Sequence, residues 1–173
     1  MGLAVHDKPD SQEVCFVAEN DYVAYLRQRC PEALRPGLIV DAAGKVLGEH
    51  QGIAAFTIGQ RKGLGIASAT PLFVTQLDAA TARVTVGPRS AILHRHLQAT
   101  RASWHCDVPA EFEATVQVRY NHAGSAGHVH VTGSDTFEVS FADPVPAITP
   151  GQAVVCYQDD RLLGGGWIQS ARQ

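Results

Sequence analysis

No apolar run in this 173-residue sequence approaches the ~20 residues a helix needs to cross a bilayer. The opening residues, Met-Gly-Leu-Ala-Val-His-Asp, lack the basic and apolar regions of a signal peptide. Both absences point to a cytoplasmic protein with no membrane partner. Paired cysteines are lacking too. Cys15, Cys30, Cys106 and Cys156 include no Cys-x-x-Cys pair and share no Cys/His spacing of a zinc site, so no metal site is expected. In a reducing compartment all four are free thiols. Charge is sparse, at 18% of residues against 45% hydrophobic, which excludes a disordered chain. The length suits one ordinary domain or two small ones.

The net charge of −3 is unevenly distributed. Residues 1–49 carry five Lys/Arg against eight Asp/Glu, and residues 107–173 carry three against eight. Residues 50–106 carry six (Arg61, Lys62, Arg83, Arg89, Arg95, Arg101) against Asp78 alone. With His50, His94, His96 and His105, that middle segment reads either as a phosphate-facing band or as a surface whose charges the fold interleaves.

The stretch Lys8-Pro-Asp-Ser-Gln-Glu-Val-Cys-Phe16 sets one thiol between a turn-prone run and an apolar one. Pro9, Asp10 and Ser11 oppose regular structure, which places Cys15 on a loop, where reactive residues concentrate. The competing reading is a small buried hydrophobe between Val14 and Phe16. Asn20 or Asp21 caps a helix carrying Tyr22, Val23, Tyr25 and Leu26 at helical spacing, and Pro31 ends it. Residues 36–50 read as a hairpin turning through Ala42-Ala-Gly44. Glycines 48, 52, 59, 63 and 65 follow, with Arg61 and Lys62 among the last three. Such a stretch either lets backbone approach an anionic ligand or forms tight turns with two solvated cations. It lacks the order of a Walker loop.

From residue 71 the pattern is all strand. Leu72–Leu77 and Val84–Val86 flank a turn, and a His/Arg-rich link runs from Ser90 to His96. Six strands then follow, at 97–104, 111–120, 128–132, 136–141, 152–158 and 161–168. Glu111-Phe-Glu-Ala-Thr-Val-Gln-Val-Arg-Tyr120 alternates in part, as a strand with one wet face does. Cys156, inside Ala-Val-Val-Cys-Tyr, is a core residue. The fold class expected is mainly β (α+β): a small central domain with a hairpin and a short helix, then a six-stranded antiparallel barrel, which leaves no open sheet edge. The divisions are 1–20 (the cysteine loop), 21–90 (central domain) and 91–173 (barrel).

Several stretches together resemble the tRNA-specific 2-thiouridylase family, which makes 2-thiouridine at the wobble position. They are Asp7–Phe16, Gly48-Glu-His-Gln-Gly52, Thr57-Ile-Gly-Gln-Arg-Lys-Gly-Leu-Gly-Ile66, Val118-Arg-Tyr120, Thr149-Pro-Gly-Gln152 and Leu163-Gly-Gly-Gly-Trp167. They stand in the family's order and cover nearly the whole chain. Members of the family begin with an ATP-pyrophosphatase domain holding a Ser-Gly-Gly-x-Asp-Ser loop and a first catalytic cysteine, neither of which is found here. The resemblance therefore implies a fragment, the central and C-terminal parts of a sulfurtransferase, inactive alone. ATP with magnesium would be bound in the N-terminal domain of the full-length enzyme, with no cofactor in this fragment.

The resemblance makes Cys15 the cysteine that carries the persulfide. It matches Arg119, Tyr120 and Gln152 to positions that touch tRNA, and sets Arg61 and Lys62 near the RNA or the N-terminal domain. ATP would adenylate the uridine oxygen, and the sulfur on Cys15 would then act as nucleophile. A persulfide is more acidic than a thiol, so it is anionic at neutral pH with little activation. Release of sulfur by the first cysteine would leave a disulfide between the two. Implied partners are the tRNA anticodon arm, a sulfur-relay donor protein and the N-terminal domain. Two rival readings stand beside this one: a stand-alone RNA-binding barrel without catalysis, and a sulfur carrier or redox protein that uses Cys15 with no RNA.

Overall fold

The computed structural model describes residues 22–120 and 122–173. Cys15, its loop and the expected cap at Asn20 or Asp21 lie outside the described residues. The first described element is a helix, α1 (Tyr22–Arg29), with a 3₁₀ turn over Pro31–Leu34 immediately beyond it. The proline cannot continue the helical ladder, so the expected stop is observed.

A four-stranded sheet follows, built from β1 (Gly37–Val40), β2 (Val46–His50), β3 (Phe73–Asp78) and β4 (Arg83–Gly87) in the order β2-β1-β4-β3. Both hairpin turns are organised by an aspartate. Asp41 Oδ1 accepts from the backbone N–H of Ala43 and of Lys45, each at 2.9 Å, while Gly44 turns with φ 83°. Asp78 accepts from the Thr81 hydroxyl at 2.6 Å and from the Ala80 N–H at 2.9 Å. These bonds, the Thr81 hydroxyl foremost, hold its carboxyl below the usual range. β1 pairs with β4 in parallel, so the two hairpins form one sheet. Ile39, Val74, Val84 and Val86 make its core, joined by Leu64 from the glycine-rich segment. That segment is pinned to β3 by Gly59 N–H to Val74 O (2.8 Å) and Val74 N–H to Gln60 O (2.9 Å).

The second unit is the expected barrel. It comprises β5 (Leu93–Trp104), β6 (Glu111–Gln117), β7 (Ser125–Val131), β8 (Thr136–Pro146), β9 (Ala153–Gln158) and β10 (Arg161–Arg172). They close in the order β10-β5-β8-β7-β6-β9, and every pairing is antiparallel. Alternation decides which side chains go in. Ala114 and Val116 of β6, Val129 of β7, and Phe137, Val139 and Phe141 of β8 are buried, while their neighbours Glu113, His128 and Ser140 face water. Cys156 is fully buried among them, as expected. Gly127 faces inward because a Cβ there would stand 2.8 Å from a Val139 methyl and 3.1 Å from a Val116 methyl.

The expected link Ser90–His96 is corrected. After a 3₁₀ turn over Arg89–Ile92 the chain is already strand from Leu93, with His94 opposite Val145 and His96 opposite Ser140. Its polar residues gave no local strand signal; the ladder to β8, some 50 residues away, imposes the conformation. β8 likewise runs past 141 to Pro146, and β10 past 168 to Arg172. β6 instead stops at Gln117, short of the expected Tyr120. There the Gln117 side-chain amide donates to the carbonyls of Tyr120 (3.0 Å) and His122 (2.8 Å), which curls the following residues out of the ladder.

Candidate functional site

Three of the sequence-derived site residues converge. Gln117 of β6 pairs with Val155 of β9, so the residues leaving β6 lie beside those entering β9. Arg119 and Tyr120 leave one strand. Gln152 enters the other from a Thr149-Pro-Gly-Gln152 turn, where Gly151 has φ 86° and its N–H bonds to Ile168 O at 2.8 Å. Together with Gln117, Ala153 and Val155 they line an open cleft of about 400 Å³.

The groups inside this cleft are suited to a polar ligand. Arg119 Nε and Gln152 Oε1 are both shielded from solvent, and neither has a hydrogen-bond partner among the described residues. A buried donor and a buried acceptor left unmade cost free energy, which a ligand presenting complementary atoms relieves. Tyr120 is 66% exposed, offering an aromatic face at the rim. Guanidinium, amide and phenol side by side can bind a phosphate or sugar edge together with a base face.

His122 fixes the geometry of this loop. Its Nδ1 faces the Val118 N–H at 3.4 Å and its Nε2 faces Ser125 Oγ at 3.1 Å, so the ring bridges the two arms of the β6–β7 connection. Burial, and secondarily the Arg119 charge, hold its pKa below 6.5. Burial does the same for His94. A histidine whose pKa is lower in the folded chain than in the unfolded one favours folding above about pH 6.5, and that contribution is lost as pH falls below it. The melting temperature is therefore expected to drop between pH 7.5 and pH 5.5. A His122→Asn chain, measured by circular dichroism, should lose part of that slope; an unchanged slope would contradict this role.

The remaining predicted cations are elsewhere. Arg61 lines a separate cleft of about 290 Å³ with Gly63–Ile66 and Thr70–Leu72, where Gly63 and Gly65 turn with φ 73° and 66°. Lys62 is exposed, and its backbone carbonyl accepts from Gln60 Nε2 at 3.0 Å. The structure thus brings neither into the Arg119 cleft. The histidine-rich band is also corrected in part. His50 is buried, with Nδ1 accepting from Gly52 N–H (3.1 Å) and Nε2–H donating to Ala82 O (3.0 Å), so it tethers β2 to the turn before β4. The Arg95 guanidinium is held by the backbone carbonyls of Phe141 and Ala142. Sequence reasoning missed Gln117 and named His122 only as one of several histidines that are solvated or structural or contribute to binding; both roles depend on a loop that only the closed barrel creates.

On the outer side of β6 and β7, Glu111 and Glu113 flank His128, at 3.8 Å and 2.9 Å. The Arg119 cleft lies instead between β6 and β9. Among the described residues no group of three or more His, Cys, Asp or Glu is placed to hold a metal ion. No helix among them is long and apolar enough to cross a membrane.

Two family models match the chain. Residues 94–168 match the aminomethyltransferase β-barrel domain, and residues 23–88 match the tRNA methyl transferase PRC-barrel domain. Among curated proteins the chain is 46% identical over 169 residues to the tRNA-specific 2-thiouridylase MnmA of Carboxydothermus hydrogenoformans. It is 46% identical over 171 residues to the protein of the same name from Geotalea uraniireducens and 45% to that from Pelobacter propionicus. These alignments cover 96%, 98% and 98% of the chain, but the chain spans only 46%, 46% and 48% of those relatives' lengths.

Proposed function

Because the chain belongs to the family of tRNA-specific 2-thiouridylases, we propose that it supplies that enzyme's central and barrel parts, binding the anticodon arm of tRNA and carrying the sulfur on Cys15. In this reading residues 1–20 hold the sulfur-bearing loop, 21–90 the central domain and 91–173 the RNA-binding barrel. The observation that carries it is the meeting of Arg119, Tyr120 and Gln152, from two separate stretches of the sequence, around two buried polar atoms that have no partner among the described residues. An RNA phosphate accepts from Arg119, an exocyclic amine or ribose hydroxyl donates to Gln152, and an unstacked base lies against Tyr120.

Cys15 acts after the RNA is held. Its persulfide presents an anionic terminal sulfur as nucleophile toward the wobble uridine, and cations of the Gly59–Gly65 segment, Arg61 and Lys62, favour the anionic form and the RNA backbone alike. Activation of the uridine by ATP is not assigned to the described residues, and a sulfur-relay protein remains the proposed donor.

The test is the salt dependence of binding. The chain is titrated with an anticodon stem-loop RNA at several potassium chloride concentrations. Arg119→Gln is expected to weaken binding roughly tenfold and to flatten the slope of log K against log salt by about 0.7, the loss of one phosphate contact. An unchanged slope and affinity would remove the cleft from the RNA path. Binding that depends on Arg119 in a protein that never loads sulfur on Cys15 would favour the rival barrel module without catalysis.

A further inference from the structure

The three glycines before Trp167 leave the outer wall of the barrel bare. A Cβ at Gly164 would fall onto the Ser103 carbonyl and one at Gly165 onto the Val154 carbonyl. At Gly166 it would stand 2.7 Å from Thr100 O and 2.9 Å from the Phe137 ring. The Gly166 Cβ position thus faces the buried Phe137, while the run as a whole lines an outer cleft to which it adds no side chain. Two exposed apolar groups flank it, Trp167 at 50% and Leu162 at 42% exposure.

A bulge delivers a cation to the same place. In the β5–β10 ladder Thr100 pairs with Trp167 and Ser103 with Gly165, so Arg101 and Ala102 together face Gly166 alone. The Ala102 N–H is taken by Asp135 O at 2.9 Å. Arg101 sits outside with φ 54°, a left-handed conformation that a side chain other than glycine, asparagine or aspartate enters at a cost. Bulges of this kind re-aim a side chain, and here the result is an exposed guanidinium lining one shallow cleft with the indole, Leu162 and His105. The cleft adjoins the Arg119 groove: Ala153 and Val155 of β9 line both.

We propose that Arg101 and Trp167 form a second RNA subsite that takes one unstacked nucleotide next to the segment held at Arg119, its base stacked on the indole and its phosphate on the guanidinium. This rests on the RNA reading given above and extends its track across β9. A nucleotide is the occupant the chemistry selects. An indole beside a cation matches a base with its phosphate, and the site adjoins the cleft already argued to hold RNA.

The test uses the 173-residue chain and an anticodon stem-loop RNA. Trp167→Ala is expected to weaken binding roughly 5- to 150-fold, the range for losing one base–aromatic stack. Trp167→Phe should retain most of the affinity. RNA should quench the fluorescence of the parent, whose other tryptophan, Trp104, packs partly buried against Phe112 and Phe137; the quench should vanish in Trp167→Phe. Arg101→Gly relieves the backbone strain, so it should melt no lower than the parent yet bind RNA more weakly and with a flatter salt slope. If Trp167→Ala and Arg101→Gly bind like the parent while Arg119→Gln is weakened, the second subsite is overturned and the Arg119 groove survives. If the parent binds no RNA at all, both readings fall.

Discussion

On the proposed reading, a Cys15→Ser protein is expected to load no persulfide at that position and to leave cellular tRNA without its wobble 2-thiouridine. The chemistry leaves little room for substitution: a serine oxygen cannot accept sulfane sulfur, so the effect is all or none. The other thiols do not stand in for it. Cys156 is fully buried in the barrel, and desolvation pushes its pKa from 9.0 up to about 12. A shift of that size leaves ~1,000-fold less thiolate at neutral pH, and the thiolate is the species that reacts. Cys30 and Cys106 are partly exposed, and neither stands in the Lys8–Phe16 motif. Mass spectrometry of the chain after treatment with a polysulfide donor should place the persulfide on Cys15 and lose it in the serine form. Normal 2-thiouridine in cells carrying only that allele would dismiss the assignment.

Phe137→Ala is expected to lower the stability of the barrel by ~3–5 kcal/mol, the range for emptying a buried aromatic site. Phe137 is wholly buried, its ring centre 5.1 Å from that of Trp104 and its edge against the Gly166 backbone. It therefore fills the interior at the point where the glycine run comes closest. Valine is the commonest residue of this core, and its short branched chain cannot reach across the gap. Phe137→Leu, which keeps most of the volume, should cost far less. Urea denaturation followed by circular dichroism measures both. A loss under about 1 kcal/mol in the alanine form would mean that the core repacks, and that the glycine run beneath the second subsite does not depend on this ring.

Much of the fold was legible because its signals are local. Alternation in Glu111–Gln117 and Thr136–Phe141, Pro31 after the helix, and the Asp41 and Asp78 turns each act over a few residues. Residues 93–96 gave no such signal. Their strand exists only because β8 pairs with them, and a polar His/Arg run cannot announce a partner 50 residues on. The same holds for the site. Arg119, Tyr120 and Gln152 were found by resemblance, but their meeting depends on barrel closure between β6 and β9. His50 resolves an open choice: its charged neighbourhood allows a surface or a structural role, and its two hydrogen bonds make it part of the scaffold. Arg101 was counted as one charge among six, since nothing local distinguishes a residue at a bulge. The resemblance spans six stretches of the chain, but Cys15 lies outside the described residues, so its role stands on the Asp7–Phe16 motif alone.

The central claim is that the anticodon arm lies along β9, between Arg119 and the glycine run. It is tested most directly by crosslinking the chain to a stem-loop RNA bearing 4-thiouridine at the wobble position and its neighbours, then mapping the attached peptides. Crosslinks are expected at residues 117–120 and 152–155 and around Trp167. Attachment confined to the outer face of β6 and β7, where Glu111, Glu113 and His128 lie, would contradict it.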